Sequence, residues 1–135
     1  MSAYNTLSTV MNNQNCLVKA LRRQFTEVES FSYPADLIDW HGKVRPQKAQ
    51  VIVRRKHVGG AANDIGFAKN SAGNFDAIIS ANEMSGRYKQ SWLDSLAETY
   101  MEERATELMT DNDCELAERE VTATGHTVLK YRVNA

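Results

Sequence analysis

The sequence predicts an α+β fold: a single antiparallel sheet of about five to seven strands, with two amphipathic helices packed on one face. Three observations lead to this prediction. Two stretches carry apolar residues at helical spacing, several shorter stretches alternate apolar and polar residues, and short turns rich in glycine and asparagine join the alternating stretches. Strands joined by short turns run antiparallel, because a parallel pair needs a long crossover. At 135 residues we expect one domain, covering 1–135.

Two segments have the apolar period of amphipathic helices. The first, Gln14–Phe25, follows asparagines that can cap it, and its predicted buried face is Cys16, Leu17, Ala20, Leu21 and Phe25. The second is expected to begin near Ser91 and to end at Asp111-Asn112-Asp113. Its predicted apolar stripe is Leu93, Leu96, Ala97, Tyr100, Met101, Ala105 and Leu108.

Alternation of apolar and polar residues predicts the strands. One strand is expected within Ala3–Met11, and the strongest pattern covers Gln47–Val58. The other predicted strands are Asp64–Ala68, Phe75–Ala81, Cys114–Val121 and Thr127–Val133. Gly59-Gly60 follows the strongest strand and precedes another, so we interpret it as a turn between strands rather than a phosphate-binding loop, which would need a helix start.

The segment Ser30–Pro46 has no clear period. Pro34 is expected to end any short strand there, because proline has no N–H to donate to a ladder. Trp40 lies in the same segment. If exposed it would be an anchor for a partner, and if folded inward it would be a core aromatic. We expect the core position, because one large ring is the simplest means of fixing a long irregular stretch.

Composition excludes several classes of protein. With 42% hydrophobic and 24% charged residues the chain is unlike a disordered sequence, and no apolar run approaches the roughly 20 residues that cross a bilayer. The N-terminal residues show no export signal. Cys16 and Cys114 are therefore expected to be reduced rather than joined in a disulfide, and we expect a cytoplasmic protein.

Five short motifs follow one another along most of the chain: Leu17–Leu21, Ala49–Arg54, Asp64–Phe67 with Asn70, Trp92–Tyr100 and Val128–Val133. In this order they resemble the small conserved hypothetical proteins encoded in algal plastids and cyanobacteria, with relatives in other bacteria and their phages. That family is a domain of unknown function. The resemblance therefore implies a fold by analogy and supplies no mechanism.

The run Arg54-Arg55-Lys56-His57 ends the strongest predicted strand. A strand would place Arg55 and His57 on one face and the other two side chains on the opposite face. The run is then either a set of solvated charges that guards a sheet edge or a contact for an anion. As candidate binding residues we take Arg54, Arg55, His57, Asp64 and Trp40, although ordinary turn chemistry also accounts for Asp64 at a strand start.

No residue is assigned a catalytic role, and neither a cofactor nor a metal is expected. The three histidines are far apart, and no catalytic or nucleotide-binding motif is present. The leading hypothesis is a non-enzymatic binding or adaptor module that holds a protein partner or a small anionic ligand on a polar sheet face. The alternative is a small hydrolase or transferase acting on a phosphorylated or nucleotide substrate, which would need His57 and Asp64 to converge in a pocket with Arg54 or Arg55. Nucleic acid is not expected at a net charge of −1.

We also expect the chain to self-associate. Both faces of Phe75–Ala81 carry apolar residues, whereas a half-solvated antiparallel strand is polar on one face. Ile78 therefore needs cover, which could come from a second subunit or from Ser30–Pro46.

Overall fold

The computed structural model describes residues 3–134. Its elements in chain order are β1 (Tyr4–Leu7), α1 (Gln14–Arg22), β2 (Glu29–Ile38), β3 (Val44–Val53), α2 (Arg55–Val58), β4 (Ile65–Lys69), β5 (Phe75–Ser80), α3 (Ala81–Met84), α4 (Gln90–Asp111), β6 (Cys114–Val121) and β7 (Thr127–Val133). Within these residues β1-β5-β4-β3-β2 form one antiparallel sheet, and β6 and β7 form a second sheet of two strands. The α+β class and the antiparallel sheet are confirmed, while the predicted final hairpin forms a sheet of its own.

One face of the five-stranded sheet packs against α1 and α4. Val51, Phe67 and Ala77 are register partners on three neighbouring strands, and all three are buried in the same cluster. The two helices cover this row with Leu17, Leu21, Trp92, Leu93, Leu96 and Tyr100. The packing of both long helices on one face confirms the prediction, and it places Trp92 in the core.

The second face of the sheet is covered by the hairpin of β2 and β3. Ile52, Gly66 and Ile78 form the next row across the sheet, and Leu37 and Ala49 pack onto it. The expectation of an open, partly polar face is therefore wrong at the centre of the sheet. Ile78 is only 6% exposed within this chain, so its cover does not require a second subunit. Self-association stays a prediction, but Ile78 no longer gives a reason for it.

Ser30–Pro46 is mostly regular strand, and the expectation of an irregular excursion is wrong. Pro34 lies inside β2, which is an edge strand, and the register with β3 shifts between Ser30 and Ala35. A proline at such a shift costs no ladder hydrogen bond. Pro46 lies at a second shift, where β3 pairs again with Asp36 and Ile38.

The strand predicted over Gln47–Val58 ends at Val53, and the next residues form the helical turn α2. The expectation that Arg54–His57 alternate between two sheet faces is therefore wrong. The backbone N–H of Arg55 donates to the side chain of Asp64 instead of entering a ladder. This contact diverts the chain at a point where the alternating pattern still predicts a strand.

Smaller differences concern the helices. The N-cap of α4 is Lys89, so the helix begins at Gln90, one position before Ser91, and α3 was not predicted. Met101 and Leu108, expected on the buried stripe of α4, are exposed.

Both cysteines are free, as expected. None of the helices within residues 3–134 combines the length and the apolar character that crossing a membrane requires.

We expect Gly66→Ala to lower the free energy of unfolding by about 1–3 kcal/mol, because an added methyl overpacks the apolar cluster of Leu37, Ala49, Ile52 and Ile78, which we call the second core. A Cβ at Gly66 would lie 2.8 Å from the Cβ of Ala49 and 2.9 Å from Cδ2 of Leu37. Urea denaturation measures the change. The matched control is Gly60→Ala, whose Cβ would meet nothing within 4 Å and which should stay within about 0.5 kcal/mol of wild type. Equal stability of the two variants would contradict this close packing.

Candidate functional site

A cavity of about 620 Å³ opens beside the ends of β2 and β3. We call it the basic pocket, and its walls are Glu29, Ile38, Gly42, Arg54, Arg55, Lys56, Gly59, Gly60, Ala62 and Asp64. Three of the five candidate binding residues, Arg54, Arg55 and Asp64, line it directly. The structure thus brings together side chains that the sequence places ten positions apart.

Asp64 is the structural centre of the basic pocket. Its carboxylate is 1% exposed and accepts three hydrogen bonds, from the backbone N–H of Ile38 (2.7 Å), the backbone N–H of Arg55 (2.7 Å) and Nη1 of Arg54 (2.9 Å). Its backbone N–H donates to the carbonyl oxygen of Ile38, and its own carbonyl accepts from the Tyr4 hydroxyl. One side chain therefore joins the end of β2, the start of α2 and the start of β4.

Arg54 is held by three acceptors. Its Nε donates to Glu29 (2.9 Å), and its Nη1 donates to Asp64 and to the carbonyl oxygen of Asp36 (both 2.9 Å). Burial by itself lowers the pKa of Arg54, but the hydrogen bonds to Glu29 and Asp64 outweigh it and raise the pKa above its ordinary value. No hydrogen bond of Nη2 to another residue is found within 3–134. A fixed cation with one free donor edge therefore lines the basic pocket.

The side chains of Arg55 and Lys56 have fewer protein partners than that of Arg54. Nη1 of Arg55 donates to the carbonyl oxygen of Trp40 at 2.8 Å, and within the described part of the chain Arg55 forms no ion pair with a carboxylate. Nζ of Lys56 lies 3.9 Å from Glu27, and both side chains are largely exposed, so that pair is worth little. Both positive charges thus remain available to a ligand.

Backbone groups form another part of the wall of the basic pocket. Gly59 and Gly60 have no side chain, so they line the basic pocket with main-chain atoms. Across residues 3–134 no acceptor is found for the backbone N–H groups of Gly60 and Ala62. Backbone N–H groups without a protein partner are donors that an anion can use.

A buried polar network around Asn63 holds the end of the loop that contains Gly59, Gly60 and Ala62. The Asn63 side chain donates to Ser80 Oγ (3.1 Å) and to Glu83 Oε1 (2.8 Å), and its oxygen accepts from the backbone N–H of Trp40. The backbone N–H of Asn63 also donates to Glu83, at 2.8 Å. None of this was predicted, although Ser80-x-x-Glu83 has the spacing of a helix capping box, which is a readable signal.

Trp40 is 45% exposed, so the expectation of a core position is wrong. The turn between β2 and β3 needs no ring to fix it, because Oδ1 of Asp39 accepts the backbone N–H groups of His41 (3.0 Å) and Lys43 (2.9 Å). Burial by itself raises the pKa of Asp39, but these two hydrogen bonds, with His41 and Arg45 nearby, lower it below its ordinary value. The Trp40 ring lies against His41, with centroids 3.9 Å apart.

His57 is not brought to Asp64. Its Nε2 lies 3.1 Å from Glu27, and it does not line the basic pocket. Both oxygens of Asp64 are already occupied, so the acid–base pair that the enzymatic alternative requires is not formed. Within residues 3–134 no group of three or more His, Cys, Asp or Glu side chains is arranged to hold a metal ion.

We expect Asp64→Asn to lower the free energy of unfolding by about 3 kcal/mol, because Arg54 loses its buried partner and one N–H donor faces an amide NH₂. Urea denaturation at neutral pH measures the change. The control is Asp36→Asn, since Asp36 pairs with Lys48 where both side chains are half exposed, and it should cost less than about 1 kcal/mol. Equal costs for the two variants would show that Asp64 does not hold these elements together.

The sequence is similar to a known protein family. Residues 20–129 match the model of a family described as protein of unknown function (DUF1257). No curated protein and no solved structure matches the chain.

Proposed function

The chain belongs to the DUF1257 family of proteins of unknown function, and we propose that its basic pocket binds a small anionic ligand. The observation that carries this proposal is Arg55, a cation at the wall of a cavity with no carboxylate partner among residues 3–134. The protein acts in this proposal as a binding module and not as an enzyme.

The charges around the basic pocket favour a phosphate or a similar oxyanion. Arg54 pairs with both carboxylates in the wall, those of Glu29 and Asp64, and offsets one of their two negative charges. Arg55 and Lys56 then contribute two further positive charges, and charge-assisted hydrogen bonds from arginine to phosphate oxygens are among the stronger polar contacts. A volume of about 620 Å³ is in the range of small-molecule sites.

The location of the basic pocket also favours a small ligand over a protein partner. It is a concave site at the ends of strands, held by buried polar contacts. The sheet face that was expected to be polar and to hold a partner is instead covered by Leu37 and Ala49. We propose a cytoplasmic location, which suits two free cysteines, and a relationship to the proteins of algal plastids and cyanobacteria.

Arg55→Ala tests the proposal, with inorganic pyrophosphate as the probe and isothermal titration calorimetry at low salt as the measurement. Removing one charge-assisted contact should weaken binding at least about tenfold. The fold should persist, because Arg55 is exposed and its side chain makes one hydrogen bond within residues 3–134, to a carbonyl.

The matched control is Arg22→Ala, which removes an exposed arginine from the last turn of α1, outside the basic pocket. It should leave the affinity unchanged. The proposal fails if the wild-type protein does not bind pyrophosphate, or if the two variants weaken binding equally.

A further inference from the structure

A second cavity, of about 430 Å³, lies beside the basic pocket. We call it the aromatic cavity, and its walls are Phe31, Tyr33, Pro34, Ala35, Asp36, Ile38, Val44, Lys48 and Arg54. Ile38 and Arg54 line both cavities. The two cavities are therefore neighbours along β2, separated by the same two side chains.

The aromatic cavity has the exposed ring of Tyr33 in its wall. Tyr33 is 59% exposed, and its ring centroid lies 5.4 Å from that of Phe31. No hydrogen bond to the Tyr33 hydroxyl is found within residues 3–134. Val44, also on the wall, is 54% exposed. An exposed ring beside a cationic site suits the flat face of an aromatic ligand, because stacking needs ring area rather than particular polar groups.

We propose that the two cavities form one nucleotide site, with the phosphate groups in the basic pocket and the base against Tyr33. This inference rests on the anion binding proposed above and names the class of ligand. Arg54 stands between the two subsites, with Nη2 free to donate to a ligand that spans them. Asp36 and Lys48 pair with each other at the wall of the aromatic cavity, and the second carboxylate oxygen of Asp36 and the other N–H donors of Lys48 supply an acceptor and donors for the edge of a base.

A free nucleotide fits the charges better than a nucleic-acid strand. The chain has 16 lysines and arginines against 17 acidic residues, whereas a protein that follows a polynucleotide backbone carries a basic stripe with aromatic rings along it. Arg54, Arg55 and Lys56 instead meet at the wall of one cavity. Such an arrangement suits one or two phosphate groups.

The test compares ADP with inorganic pyrophosphate on the full chain by isothermal titration calorimetry. Stacking of the base should make ADP bind about five- to hundredfold more tightly than pyrophosphate. Tyr33→Ala should remove this advantage and leave pyrophosphate binding unchanged. Tyr33→Phe keeps the ring and should keep the advantage. Both variants should fold, because Tyr33 is exposed on an edge strand.

The outcomes separate the two proposals. If pyrophosphate binds and ADP binds no more tightly, the nucleotide site is wrong while anion binding stands. If Tyr33→Ala leaves the ADP affinity unchanged, the base does not lie on Tyr33 and the inference is likewise overturned. If neither probe binds, anion binding itself fails. A six-residue oligoadenylate that binds far more tightly than ADP would replace the free nucleotide with single-stranded nucleic acid.

Discussion

The buried carboxylate of Asp64 is the constraint on which the surroundings of both cavities depend. It accepts the backbone N–H groups of Ile38 and Arg55 and the guanidinium of Arg54, so all its contacts are with groups from other parts of the chain. A carboxylate buried at this depth is tolerated only when charge and hydrogen bonds both compensate it. Because two of the three donors are backbone groups, the contact fixes the course of the main chain and not only of side chains.

The position of Ile38 connects the basic pocket to the second core. Asp64 holds the end of β2 beside the start of β4, and the same hairpin lays Leu37 and Ala49 over Gly66. The missing side chain at Gly66 permits this approach. Packing of the hairpin and placement of the arginines are thus parts of one arrangement, in which apolar burial supplies stability and the carboxylate supplies position.

Local pattern was sufficient for most of the fold and for part of the site. Helical periodicity, alternation and glycine-rich turns predict both long helices, the antiparallel meander and the final hairpin, because these features depend on neighbours in sequence. The errors lie where distant contacts decide. Pro34 stays within a strand because that strand lies at an edge, and the strand before Arg54 ends early because Asp64, ten positions later, accepts the next N–H group. His57 likewise lies against Glu27, thirty positions earlier, and this contact between distant residues is not predicted by local pattern.

The most direct test of the central claim is the affinity of Asp64→Asn for inorganic pyrophosphate, measured where circular dichroism shows the variant folded. Removing a negative charge from the wall of an anion site would by charge alone strengthen binding. If Asp64 serves to position Arg54 and Arg55, binding should instead weaken at least about tenfold. An affinity equal to or tighter than that of the wild-type protein would contradict the account.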